Sequence, residues 1–359
     1  MTPIRSLFRL LLLLAGLALV PVVLVVGLLA ALQSEAVRTQ ATTLLTRLVP
    51  GVEIEGLGPG LPFRLDLARL VLDDADGPWL TLEGLTVRVA PEALLSGRVE
   101  LPEATIDRLH LRRLPAAAPA TEMDAAPPTE TAPFRLPDAV PPFALERLEV
   151  RRLEIDQPVV GAPLVATVAG RAASPDGARV MAELTVQRID VPGLDASLEA
   201  ELDLAERRLA LDLAAADRSG FVDRLAGPTP IGDVRVRLAG QGPLAAWPAR
   251  LEAAASEVAT ADLDLVLGIE GEPRLEVSCE VASRPALLDG PLADLLGGGA
   301  QLDIGVVPLE DGLAVERLAV ETDWLSLGGT AALQGGRVRA DLDGRIDDLA
   351  PLRPLVDER

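Results

Sequence analysis

Leu275-Glu276-Val277-Ser278-Cys279-Glu280-Val281 alternates apolar and polar side chains without a break. In an extended chain successive side chains point to opposite faces, so this stretch reads as a β-strand with one buried face. The same period spreads outward from it. Val234, Val236 and Leu238 alternate with Arg235 and Arg237; Leu263, Leu265 and Leu267 form a second set, and Leu302, Ile304 and Val306 a third. Shorter versions lie upstream at Leu65-Asp-Leu67, Leu80-Thr-Leu82 and Leu85-Thr-Val87-Arg-Val89. Clusters of Gly, Pro and Asp at 73–78, 174–177 and 271–273 separate the runs and read as turns. One run changes parity: Leu148 and Val150 occupy even positions, Leu153 and Ile155 odd ones. A β-bulge at Arg151-Arg152 would return all four to one face.

Strands of typical length would number roughly seventeen in this chain. Helical spacing is confined to 34–49, where Ser34 is the N-cap, and to short stretches at Phe221–Ala226 and 285–296. A sheet must bury its apolar face against something. With so few helices the choices are a second sheet, closure on itself, or a ligand. The pattern by itself leaves a closed sandwich and an open groove equally supported.

Residues 10–32 contain no charge and follow Arg5 and Arg9. About 20 apolar residues suffice to cross a bilayer as a helix, and the basic flank keeps the N-terminus in the cytoplasm. The run is too long for a signal-peptide core, so an uncleaved anchor is expected in preference to cleavage at the weak Ser34-Glu35-Ala36 site. Residues 115–142, rich in Pro, Ala, Thr and Glu, read as a linker. The expected organisation is 1–33 anchor, 34–114 helix and proximal β module, 115–142 linker and 143–359 distal β repeats.

Composition excludes several functions. With 33 basic and 54 acidic residues the net charge is -21, which argues against nucleic acid as a partner. The lone Cys279 permits no intrachain disulfide, and on the apolar side of its strand it reads as an inert thiol. A hydrolytic triad would have to recruit the single His110, which reads as a surface strand residue. Gly56-Leu-Gly-Pro-Gly60 lacks the spacing of a phosphate loop, and Asp341-Leu-Asp343-Gly344 lacks the remaining ligands of a calcium loop. Trp79, Trp247 and Trp324 read as anchors of turns or strand ends. No enzyme activity, metal or cofactor is expected.

Several stretches carry a family resemblance. Val52-Glu-Ile-Glu-Gly-Leu-Gly-Pro-Gly-Leu-Pro62, Leu70-Val-Leu-Asp-Asp-Ala-Asp-Gly-Pro-Trp-Leu80, Val87-Arg-Val-Ala-Pro-Glu-Ala-Leu-Leu-Ser-Gly-Arg-Val99 and Leu145-Glu-Arg-Leu-Glu-Val-Arg-Arg-Leu-Glu-Ile155 resemble the N-terminal region of TamB. TamB is the inner-membrane subunit of the translocation and assembly module. The likeness runs from the anchor to about Arg171 and becomes a diffuse β-repeat similarity beyond it. It implies a mainly β fold: a transmembrane helix, then an elongated antiparallel β-groove of the AsmA-like, bridge-like lipid-transfer type with a few short helices. It also implies a single-pass protein of the bacterial inner membrane, with its bulk in the periplasm, conducting phospholipids toward the outer membrane. An Omp85-type, TamA-like barrel is the implied partner. TamB proteins are far longer and end in a dedicated C-terminal domain that meets that barrel. The residues expected to line the groove are Val234, Val236, Leu238, Leu263, Leu265, Leu267, Leu275, Val277, Val281, Leu302, Ile304 and Val306. The alternatives are an assembly factor that templates client strands at a sheet edge, and a structural β spacer.

Overall fold

The computed structural model describes residues 52–58, 63–115, 136–226, 232–256, 259–270, 274–283, 299–309, 312–334 and 337–348. The apolar run 10–32, the helices expected at 34–49 and 285–296, and most of the 115–142 segment lie outside the described residues. The described chain is mainly β, with eighteen strands, three short α-helices and one 3-10 turn. It divides into two compact units, Met1–Ala132 with Ala139–Glu199, and Pro133–Asp138 with Ala200–Arg359.

In the first unit the strands are β1 (Val52–Leu57), β2 (Arg64–Asp74), β3 (Gly77–Arg88), β4 (Val99–Leu101), β5 (Glu103–Leu111), β6 (Phe143–Ile155), β7 (Leu164–Ser174) and β8 (Arg179–Arg188). Helices α1 (Pro91–Leu95) and α2 (Gln157–Val160) are single turns between them. Pairing is antiparallel from β1 through β2 and β3 to β5, and again from β6 through β7 to β8. Against the antiparallel expectation, β4 and β5 pair with β6 in parallel. A parallel pair needs a long crossover, and residues 112–142 supply one. The composition of 115–142 marked a division of the chain, yet the strands on either side of it are direct neighbours.

The bulge expected at Arg151-Arg152 is present. Val150 faces Val168 and Leu153 faces Ala166, three steps on β6 against two on β7. A second bulge follows the same rule between Leu145 and Leu148. Across the other edge of β6 the register is even, because β5 carries Asp107-Arg108 opposite the arginine pair. Asp107 accepts a hydrogen bond from Arg151 Nη1 at 2.8 Å. On β3, Gly84 adopts φ 65°, and a Cβ there would lie 2.2 Å from Asp107 Oδ2. The irregularity thus runs across three strands and returns every apolar side chain to one face. That face is closed: Leu80, Leu82, Leu109, Leu148, Val150 and Leu153 are each at most 3% exposed.

Strand β9 (Leu194–Asp203) carries the division between the units. The second unit is an uninterrupted antiparallel meander of nine strands: β10 (Arg208–Asp217), β11 (Val234–Pro243), β12 (Trp247–Ala255), β13 (Ala259–Leu267), β14 (Leu275–Ser283), β15 (Gly299–Leu309), β16 (Gly312–Thr322), β17 (Leu325–Gln334) and β18 (Arg337–Ile346). Helix α3 (Phe221–Ala226) lies where its spacing placed it. Asp217 caps its start, accepting from Ser219 N at 2.8 Å and Val222 N at 2.7 Å. Residues 136–138 are held to this unit by Arg207. Its Nη1 reaches Leu136 O at 3.0 Å and Glu270 Oε1 at 3.2 Å.

Candidate functional site

The register of the second unit aligns its apolar positions into transverse rows. One runs Leu238–Leu251–Leu263–Cys279–Leu302–Val320. The next runs Gly240–Ala249–Leu265–Val277–Ile304–Leu318. Beside it lies Trp247–Leu267–Leu275–Val306–Val315, and on the other flank Val236–Ala253–Ala261–Val281–Ala300. Val234 opens a fifth row with Ala255 and Ala259. Directly opposed residues share a face, so all twelve expected positions stand on one side of this sheet.

Neighbouring strands are about 4.8 Å apart and alternate residues about 6.7 Å, so the field measures roughly 24 Å across β11–β16 and 27 Å along the strands. It survives a register break because β16 bulges at Glu316-Arg317, which brings Val315 and Leu318 to the same face. Sequence reading missed Leu251 and the β16 residues. In β12 the alternation is present, but its small Ala residues mute it. In β16 the bulge breaks the parity.

The opposite face is polar and ion-paired. Arg237 Nη2 lies 2.7 Å from Asp212, Arg250 Nη2 3.2 Å from Asp262, and Arg317 Nε 2.8 Å from Asp303. These pairs are exposed, so solvent screens them and they add little to stability. A shallow depression on that side is lined by Gln241, Arg250, Asp264, Glu276, Ser278 and Arg317. Gly240, Ala249, Leu265 and Val277, which belong to one apolar row, also line it.

What distinguishes the apolar face is incomplete cover. Leu263, Leu265, Leu267, Val277, Val281, Leu302, Ile304 and Val306 are only half-buried, and Leu275 is 37% exposed. Val234 and Val236 on β11 are buried, so cover falls away along the meander. A face closed by a second layer would look like that of the first unit.

The other sequence features take structural places. His110 Nε2 lies 3.0 Å from Asp156 Oδ1 on the polar face of β5. Cys279 stands in an apolar row, and burial pushes its thiol up. Gly56 and Gly58 lie against β2, Gly58 N donating to Asp66 O at 2.7 Å. Asp341 and Asp343 belong to β18. Trp247 opens β12, and Trp324 sits in the turn between β16 and β17.

A family profile described as YdbH-like, intermembrane phospholipid transport protein YdbH, matches residues 22–350. The chain belongs to the YdbH-like family. The matched span takes in every described strand, both units included. No curated protein and no solved structure matches the chain. YdbH-like membership supports the wider AsmA-like, bridge-like lipid-transfer kinship and a phospholipid role. It does not single out TamB: alternating strands and turn residues are shared across groove proteins, so they mark the superfamily more readily than one member.

Proposed function

We propose that this protein shelters phospholipid acyl chains on the apolar face of β13–β16 while they pass between two membranes, without enzymatic chemistry. The observation that carries the proposal is the half-exposed field of aligned apolar rows. An acyl methylene exposed to water costs about 0.8 kcal/mol, so a chain of about sixteen carbons costs on the order of 12 kcal/mol. Half a bilayer core is about 15 Å thick, so an acyl chain fits within the field. The polar headgroup stays in solvent, and the lining has no residues suited to selecting one. A spacer packed on itself would have its rows covered. The assembly-module partner implied by the TamB resemblance is not part of this proposal, since the matched family speaks of phospholipid transport alone.

Leu265 and Val277 stand on the apolar face and Glu276 on the other. A photo-crosslinking residue at Val277 should capture phospholipid in cells, and one at Glu276 should not. Leu265→Asp should abolish capture at Val277 while costing only about 1 kcal/mol of stability, because the site is half open. Adducts only to neighbouring protein strands would sink the transport reading.

A further inference from the structure

The row through Leu265 and Val277 continues toward β10 across Ala249, Gly240 and Leu211. Its side chains shrink there to a methyl and a hydrogen, which by itself would leave a trough leading past β12. The trough is filled. Trp247, in the adjacent row, leans its indole over Gly240, where a Cβ would lie 2.5 Å from Cζ2. Its Nε1 donates to Leu209 O at 3.0 Å, so the ring starts on β12, crosses β11 and is tied to β10. Trp247 is 4% exposed and Leu244, just before it, 1%. At the other end of the same strands Phe221 is fully buried in α3. In these two rows the β12 side chains, Trp247 and Ala249, are buried, and the β13 side chains, Leu267 and Leu265, are half-exposed.

We infer that Trp247 is a threshold residue: its indole, seated on Gly240 and hydrogen-bonded to β10, stops acyl chains on the β13–β16 face from advancing toward β10. The inference rests on the lipid reading above and adds where along the sheet lipid is held. Gly240 and the indole form one device. Any side chain at Gly240 would displace the ring, and any smaller residue at 247 would reopen the trough. The indole N–H serves as a positioning contact, because it fixes the ring across the row.

The experiment places a photo-crosslinking residue separately at Val277, Leu265 and Leu211 in the full-length membrane-bound chain and identifies captured phospholipid. In the otherwise unaltered chain, Val277 and Leu265 should capture lipid and Leu211 should capture at least tenfold less. Trp247→Leu, which keeps an apolar side chain on the face, should raise capture at Leu211 to within about twofold of Val277. Trp247→Phe, which keeps a ring without the N–H, should give an intermediate rise. Equal capture at Leu211 and Val277 in the unaltered chain overturns the threshold and leaves the lipid reading standing. So does a Trp247→Leu chain that keeps its capture at Val277 and gains none at Leu211. Absence of lipid at all three positions overturns the lipid reading itself. Should Trp247→Leu lose capture at Val277 through misfolding, the unaltered chain and Trp247→Phe still decide the matter.

Discussion

At the scale of single residues, carboxylates are held by arginine. The Glu154 carboxylate accepts a hydrogen bond from Arg108 Nη2 at 2.6 Å and another from Arg152 Nε. Arg108 first, then Arg152, outweigh the opposing effect of burial and hold Glu154 down at about 2. Asp190 is likewise held at about 2, by Arg188, whose Nε and Nη2 each reach it at 2.7 Å. Both carboxyls are depressed in the folded state. Their contribution is therefore complete above the ordinary carboxylate range and is lost as pH falls through about 2. The urea midpoint should decline steadily from about pH 5 downward, and Glu154→Gln should flatten part of that decline. A midpoint that rises on acidification would contradict the assignment. The Arg108–Glu154 pairing was not legible in sequence, since those two residues are brought together only by the parallel pairing of β5 with β6. The face of each residue was legible: Val277 and Glu276 stand on opposite sides as their alternation required.

At the scale of the element, β6 shows how a strand can carry a parity error in its sequence and none in its packing. Its two bulges let Leu145, Leu148, Val150, Leu153 and Ile155 all bury on one side. Deleting Arg152 should remove the second bulge yet keep Leu153 and Ile155 on the apolar face, because Leu153 then follows Val150 by two steps. It should instead put β6 one residue out of step with β5, where Ile106 faces Val150 and Leu109 faces Leu153. The urea midpoint should fall by the equivalent of about 1–3 kcal/mol. Unchanged stability would show that the three-residue step shared by β5 and β6 does not matter to their packing. The parity flip at Arg151-Arg152 is a local signal, and so the bulge could be anticipated. The parallel neighbour could not, because the pattern of one strand contains nothing about the direction of the next. β12 was faint for a different reason: with Ala at 249, 253 and 255 on its inward side, the apolar contrast that reveals the period is weak.

At the scale of the whole molecule, the anchor expected over 10–32 belongs with the lipid proposal, since it would hold the strands beside a donor or acceptor bilayer. The intact protein should remain in the membrane fraction through alkaline carbonate washing, and a chain lacking residues 1–33 should be released. Retention of the shortened chain would remove the anchor from the account. Sequence alone determined that this is a β protein of alternating strands and that, within each strand, Val277 and its companions turn to one side. These are properties of neighbours along the chain, fixed by the two-residue period of extended backbone. Only the tertiary structure decided how much of that face is covered. Alternation is identical in a packed strand and in an open one, so Leu148 at 1% exposure and Leu275 at 37% look alike in sequence. Cover depends on what distant segments lay over a strand, and the contrast between a closed face in one unit and an open one in the other exists only once those segments are in place.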